Sequence, residues 1–502
     1  MGAGIAWWWT LVSSIGGEVF YSGDGGLKAL MVRQLLDGRA VPWLALDAPP
    51  WLEALWAEGT YPFHTPFVHE LDGRTYPSFE WPFAVVSAPG YALFGHAGLH
   101  VVPALAVLAT WARFARLLGA LRVGLLAKGL SLAVLVFATP LTFYGATFWE
   151  HSLAVALAFA GYADLASSEL DRRTPRAVRA GVLLGLAVFF RPEAGAFAAA
   201  ALLAHASLPG WRASLASGGA FALVVSLYLA MNRALYGTWL GAHGIEALGD
   251  DSNALARVSN ALELADALHE LWMRYLPVTW VALLLGGVAL GVRGAHGCVV
   301  RRAFLTLALA FAATALVAPN AGGMQIGPRY LLALVPVLVV VIALGLDRLS
   351  TAPRAARLVA VLALVAVAGL GAHENLVARS QRLRESYATR ILPSWRAVAS
   401  HQQAGVLFAH PWAALELAQV FEGRPVATVD SRSKLDRAVQ QMIAHGHDVL
   451  LLDGPDERAF RVEPRSRHRG VDVEWTVLST QGQYTVLLGR PRTALAVSPT
   501  SN

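Results

Sequence analysis

Ser22-Gly23-Asp24-Gly25-Gly26-Leu27-Lys28-Ala29-Leu30-Met31 marks the point where an apolar N-terminal segment, Ile5 to Tyr21, stops and a long polar loop begins. A carboxylate followed by two glycines at such a place stands at a wet membrane edge, and the missing Cβ atoms let a substrate or another backbone come close. The competing reading is structural. Asp24 then caps a helix from Leu27 to Leu36, with Lys28 one helical turn further on.

The rest of the chain decides that this is a membrane edge. Of 502 residues, 56% are hydrophobic and only 15% charged, and apolar runs of membrane-spanning length recur. Beyond Ile5–Tyr21, which is short for a crossing of about 20 residues, spans are expected at Leu99–Leu118, Leu125–Leu141, Ser152–Ser167, Val178–Phe190, Ala194–Leu208, Leu215–Met231, Tyr275–Val292, Phe304–Val317, Tyr330–Leu346 and Leu358–Gly371. Phe83–Phe94 is too short to join them. The reading is a polytopic α-helical membrane protein of about 11 spans.

Orientation follows from the basic loops. Arg113, Arg116, Arg122 and Lys128, then Arg172, Arg173, Arg176 and Arg179, then Arg212, the Arg293 to Arg302 cluster, and Arg348, Arg354 and Arg357 all fall on one side, the cytoplasmic one. The N-terminus is then inside and the C-terminus outside. The net charge of +6 belongs to these loops, which excludes nucleic acid as a partner. The single cysteine, Cys298, permits no intrachain disulfide, and no small-residue cleavage site follows the first apolar stretch. Between Ser22 and Trp81 eight acids face four bases, and the many Trp, Tyr, Phe and Pro residues are expected to form short helices along the headgroups.

After Gly371 the composition turns polar. Short apolar runs (Gly405–Ala409, Pro425–Val429, Asp448–Leu452, Val473–Leu478, Tyr484–Leu488) alternate with amphipathic stretches (Pro411–Phe421, Ser433–His445), the pattern of a small α/β soluble domain. The expected division is a membrane domain over residues 1–372, including an outer loop 22–82, and an extracytoplasmic domain over 373–502. The latter has no phosphate fingerprint or metal-ligand spacing, so a docking or lid role is expected of it.

Ionisable groups at span mouths cost about 2.5–3.5 kcal/mol on insertion scales and are functional candidates by default. Phe148-Trp149-Glu150-His151 opens a span on the face of Asp24, and Glu150 with His151 suits a metal or a hydroxylated ligand, although an acid there also favours the helix dipole. Arg191-Pro192-Glu193 interrupts two apolar segments and reads as a cavity-lining break or as a tight turn with a surface ion pair. Asn320 to Tyr330 is a glycine-rich outer loop delivering Arg329, whose fork of donors fits a phosphate. Glu80 closes the first outer loop, and His243 lies on another loop as a weaker candidate.

In this order and sidedness the segments Ser22 to Lys28, Tyr76 to Gly95, Phe148 to His151, Arg191-Pro192-Glu193 and Gly327-Pro328-Arg329-Tyr330 resemble the GT-C superfamily of membrane glycosyltransferases that use polyprenyl-phosphate-linked sugars. The likeness is to bacterial relatives of protein O-mannosyltransferases (glycosyltransferase family 39) and to lipid A aminoarabinose transferases, over roughly residues 1–372. The resemblance implies Asp24 and Glu150 as catalytic carboxylates and Arg329 as holder of the donor phosphate. Beside these, Arg191 and Lys28 are read as further phosphate holders, and His151, Glu80, Glu193 and His243 as substrate or metal contacts. Members differ in metal use, so a divalent metal is the one cofactor left open. The partners implied are a polyprenyl-phosphate-sugar donor, a lipid, glycan or protein acceptor and membrane lipids. The implied location is the bacterial inner membrane, with chemistry on its outer face. The rival class is a transporter or flippase of a lipid-linked or anionic solute, whose site would lie near the midplane between internal repeats. No repeat of fixed period is present.

Overall fold

The structure is a computed structural model. It describes residues 1–15, 19–171, 174–206, 211–242, 254–290, 295–318, 327–454, 460 and 462–492. The chain divides into two compact units, Met1–Ser14 with Glu80–Gln381, and Ile15–Phe79 with Arg382–Asn502.

The first unit is helical. Among the described residues four stretches are long and apolar enough to cross a membrane: Trp81–Ala120, Arg212–Tyr236, Gly297–Val317 and Arg354–Ala399. A fifth is added if Ala261–Tyr275 and Thr279–Leu290, bent by 92°, count as one broken span. This is fewer than the eleven expected. Leu125–Phe137 has 13 residues and Ala194–His205 has 12, so each rises only about 20 Å against a hydrocarbon core of about 30 Å. Conversely, Phe83–Phe94 is no isolated fragment. It belongs to the helix Trp81–Phe94, which a short 3₁₀ turn joins to Val101–Ala120.

Helices His151–Asp171, Thr174–Phe190 and Trp211–Tyr236 pack in series. A Cβ on Gly181 would lie 2.1 Å from the Ser217 carbonyl oxygen, so glycine is what lets the last two backbones touch. Asp164, fully buried, receives a forked pair from Arg179 at 2.6 and 2.9 Å and an ion pair from Arg113. Three helices are thereby tied where an unpaired carboxylate would be costly.

The second unit is built on a six-stranded sheet ordered β4-β3-β5-β8-β7-β6. Here β3 is Gly405–Phe408, β4 Val426–Thr428, β5 Val449–Asp453, β6 Arg465–His468, β7 Val471–Ser479 and β8 Thr485–Pro491. β3 pairs in parallel with β4 and β5; the other pairs are antiparallel. The five apolar runs read from the sequence are five of these strands, and Arg432–Ala444 is the helix expected near Ser433–His445. A hairpin, β1 (Val68–Leu71) with β2 (Arg74–Pro77), completes the unit.

The aromatic loop does not behave as expected. Leu52 and Leu55, on the helix Pro50–Leu55, are buried in one cluster with Leu407, Leu435, Leu451 and Trp475. Trp51 stacks on His445 with centroids 4.5 Å apart, and Trp56 Nε1 donates to the Val426 carbonyl at 2.7 Å. These rings have a sheet domain to cover, which removes more apolar surface from water than lying along headgroups.

Candidate active site

Glu150 immediately precedes the helix His151–Asp171, and its carbonyl accepts from the amides of Leu153 and Ala154, both at 3.0 Å. Its side chain is 2% exposed. The helix Thr174–Phe190 stops because Pro192 has no N–H to continue it, and Glu193 takes the N-cap position of Ala194–His205. The turn thus leaves Arg191 between two carboxylates.

Arg191 Nη1 donates to Glu150 Oε1 at 2.9 Å, and Nη2 donates to Glu193 Oε1 at 2.6 Å. The guanidinium is 11% exposed and Glu193 7%, so the alternative of a surface ion pair on a tight turn is excluded. Burial works against the Arg191 charge, but Glu193 and then Glu150 more than offset it and hold the group protonated.

Arg329 arrives from the opposite direction in sequence. Gly327 adopts φ +83°, a region that favours glycine, and a 3₁₀ turn over Arg329–Leu331 follows. Arg329 Nη2 donates to Tyr330 Oη at 2.9 Å, and its Cζ lies 4.9 Å from the Tyr330 ring centroid. Arg191 Cζ lies 5.6 Å from the same centroid. One aromatic ring therefore serves two guanidiniums. An open pocket is lined by His151, Arg191, Glu193, Arg329 and Tyr330 together with apolar Ala154, Val155, Ala194, Leu332 and Ala333.

The structure thus gathers Glu150, His151, Arg191, Glu193 and Arg329 from distant parts of the sequence. His151 Nδ1 stands 3.9 Å from Glu150 Oε1, and its ring lies against those of Tyr144 and Trp149. Glu80 sits outside the pocket lining, at the N-cap position of Trp81–Phe94, where its Oε1 accepts from Tyr228 Oη at 3.1 Å. His243 lies outside the described residues. Among the described residues no three His, Cys, Asp or Glu side chains form a metal-ligand set. Glu150 and Glu193 each turn an oxygen to Arg191.

Asp24 and Lys28 belong to the second unit. The helix there runs Gly23–Leu36, so Asp24 is in its first turn and Ser22 holds the N-cap position; the reading of Asp24 as cap of Leu27–Leu36 is corrected. Asp24 is 7% and Lys28 1% exposed, with Lys28 Nζ 4.5 Å from the Phe79 ring centroid. The glycines have a specific use. A Cβ on Gly26 would fall 1.8 Å from the Leu415 carbonyl oxygen, so the backbone that comes close is that of Pro411–Glu416.

Two residues escaped the sequence reading. Tyr330 ends a quoted motif yet carries no charge, and Tyr228 sits amid an apolar span; a hydroxyl among apolar neighbours is the signal that would have found the second.

No protein-family model and no curated protein matches the chain significantly. Solved structures do. ArnT from Cupriavidus metallidurans bound to undecaprenyl phosphate superposes with a TM-score of 0.57 at 13% identity, over 97% of this chain and 96% of that one. The chain has the fold of ArnT. The apo state of ArnT gives a TM-score of 0.54 at 12% identity over the same shares. The arabinofuranosyltransferase AftD from Mycobacteria aligns with a TM-score of 0.44 at 14% identity, over 97% of this chain and 41% of that one. The coverage by ArnT takes in the helical unit and the sheet unit alike, and with the apolar helices it identifies an integral membrane protein of polytopic design.

Proposed function

We propose that this protein is a membrane glycosyltransferase that moves a sugar from a polyprenyl-phosphate donor to an acceptor of the cell envelope, on the outer face of the bacterial inner membrane. The observation that carries the reading is the pair of guanidiniums, Arg191 and Arg329, set around Tyr330 in one pocket of a chain with the fold of ArnT, a protein solved with undecaprenyl phosphate bound.

The chemistry needs little more. A polyprenyl phosphate is a tolerable leaving group, and catalysis consists mainly of stabilising the charge that collects on it. The bond from the anomeric carbon to the phosphate oxygen breaks, its electron pair staying on the phosphate, where Arg329 and Arg191 receive the charge. The acceptor oxygen bonds to the anomeric carbon from the opposite face, inverting it, and gives its proton to a carboxylate. Asp24 is assigned that role, on the resemblance; Glu150 is the second carboxylate, oriented by Arg191. Lys28, one helical turn beyond Asp24, is assigned to phosphate for its charge. The sheet unit is proposed as a docking or lid domain outside the membrane.

Arg191 Nη1 and Nη2 are each engaged by a carboxylate, Glu150 and Glu193. An entering phosphate competes for the same fork, which couples donor binding to the freedom of both carboxylates. The test is transfer of radiolabelled sugar from a polyprenyl-phosphate donor to an envelope fraction by the purified protein in liposomes. Transfer that requires Arg329 supports the reading; solute movement without any sugar transfer overturns it in favour of a transporter.

A further inference from the structure

Arg329 has to be held in place by something other than its own short 3₁₀ turn. The residues flanking the turn give the answer. A Cβ on Gly327 would meet Pro140 at 3.4 Å and Tyr275 Cδ1 at 3.8 Å, so Gly327 is seated between the segments that carry those two residues. The Arg329 amide donates to the Gly327 carbonyl at 2.9 Å, so the seat of Gly327 passes directly to Arg329.

The two flanking segments are themselves tied by one side chain. Asn375 is 1% exposed and lies in a π-helical turn, His373–Ala378, that follows the apolar helix Arg354–Ala372. Its Nδ2 donates to the carbonyls of Tyr275 and Gly371, both at 2.9 Å, and lies 3.3 Å from that of Ala138. Ala138 ends the helix Leu125–Phe137 two residues before Pro140, and Tyr275 stands at the 92° bend between two helices. Gly371 adds to the tie: a Cβ there would lie 2.7 Å from the Ala138 carbonyl oxygen. A π-turn places one residue out of helical register, which is how a single amide reaches three chain segments, and such turns recur at functional sites. The neighbouring charges are accounted for separately. Arg379 donates from Nε to Glu374 at 2.9 Å and covers the Tyr275 ring at 4.6 Å, and Arg274 Nε stands 3.8 Å from Glu374.

We propose that Asn375 is a positioning residue for the donor site: by joining the backbones at Ala138, Tyr275 and Gly371 it fixes the cradle of Gly327 and so sets where Arg329 meets the donor phosphate. The proposal rests on the reading of Arg329 as a phosphate ligand given above. Asn375 lines no part of the pocket and acts through the chain. Only a donor fits among three carbonyl oxygens. An ionised carboxylate in its place repels them, whereas a protonated one still donates once.

That asymmetry provides the test. Binding of undecaprenyl phosphate to the full-length protein in detergent is measured for wild type, N375D, G371A and R329Q at pH 5 and pH 8, with unfolding temperatures recorded alongside. Each affinity is expressed relative to wild type at the same pH, because the phosphate titrates too. N375D is expected to bind on the order of tenfold more weakly at pH 8, with recovery towards wild type at pH 5, and G371A to bind weakly at both. A merely structural role would lower the unfolding temperature of N375D without a pH-dependent loss of relative affinity, and that result overturns the proposal. Wild-type affinity in N375D at both pH values, with R329Q impaired, overturns it while leaving the phosphate reading intact. Wild-type affinity in R329Q removes the phosphate reading and this proposal with it.

Discussion

Arg191 and Glu150 are joined at 2.9 Å, and the same guanidinium reaches Glu193 at 2.6 Å, so one cation is shared by two carboxylates in a buried turn. Replacing Arg191 by Gln takes from both acids the cation they share. Breaking a buried pair from one side costs about 3–5 kcal/mol, so Arg191→Gln is expected to unfold at a clearly lower temperature in detergent. Arg191→Lys keeps the charge but loses the fork, and should retain most of the stability while losing transfer. Equal transfer by Lys and Arg would show that the fork is not used.

Arg329→Ala is expected to weaken donor use far more than folding, and Lys should rescue it poorly for want of a bidentate donor. Tyr330→Phe keeps the ring beneath both guanidiniums and removes the oxygen that accepts from Arg329. A loss near 1 kcal/mol in donor affinity, the size of one hydrogen bond, is expected from it. Titration of donor into each variant, read by intrinsic tryptophan fluorescence, ranks them.

Asp24→Asn separates chemistry from structure. Ser22, not Asp24, holds the N-cap position, so removing the Asp24 charge takes away no cap. If Asp24 is the base, turnover falls on the order of a hundredfold to ten-thousandfold while donor binding persists. Steady-state transfer by the purified variant decides; near-normal turnover would pass the role to Glu150.

Glu416 predicts a pH dependence of the sheet unit. Burial pushes its carboxyl from 4.5 up to about 7, against the lowering effects of the Tyr484 hydroxyl, which donates to Glu416 Oε2 at 2.7 Å, and of Arg390. A raised acid binds its proton more tightly folded than unfolded, so its contribution to stability is whole below about pH 4.5 and is lost as pH rises through about 7. Glu416→Gln stays neutral and still accepts from Tyr484. It should match wild type at pH 4.5 and exceed it by roughly 3 kcal/mol above pH 7, in unfolding followed by circular dichroism. A constant gap across that range would refute the assignment.

Gly26→Val places a side chain where the Leu415 carbonyl stands. The helix Gly23–Leu36 must then move away from Pro411–Glu416 or distort, with a cost above the usual 1–3 kcal/mol of overpacking. Limited proteolysis of the sheet unit should detect the loosening.

Much of this was legible in the chain. The strands were, because Gly405–Ala409 and Val449–Leu452 are apolar throughout and lie centrally, with partners on both sides. β6 was not: Arg465-Ser466-Arg467-His468 offers no apolar run, and its place is fixed by pairing with β7 and by His468 bonding to Asp436 at 2.7 Å. The charges of the pocket could be read because Arg191-Pro192-Glu193 and Gly327-Pro328-Arg329 are anomalous beside apolar spans. Their convergence on Tyr330 could not, since it depends on how helices pack. The start of the helix at Gly23 was hidden by glycine's poor helix propensity, which contact with Leu415 overrides.

The second unit is discontinuous: residues 15–79 find their sheet only in residues 382–492. During synthesis the helix bearing Asp24 and Lys28 emerges first and waits while residues 80–381 are made and inserted, a delay of tens of seconds at ordinary elongation rates. Through that interval Gly26 has no Leu415 against it, and Leu52, Leu55, Trp51 and Trp56 have no sheet to cover. A nascent chain arrested before Gly405 presents this aromatic segment with none of the strands that cover it, so its exposure lasts from its own synthesis until those strands arrive.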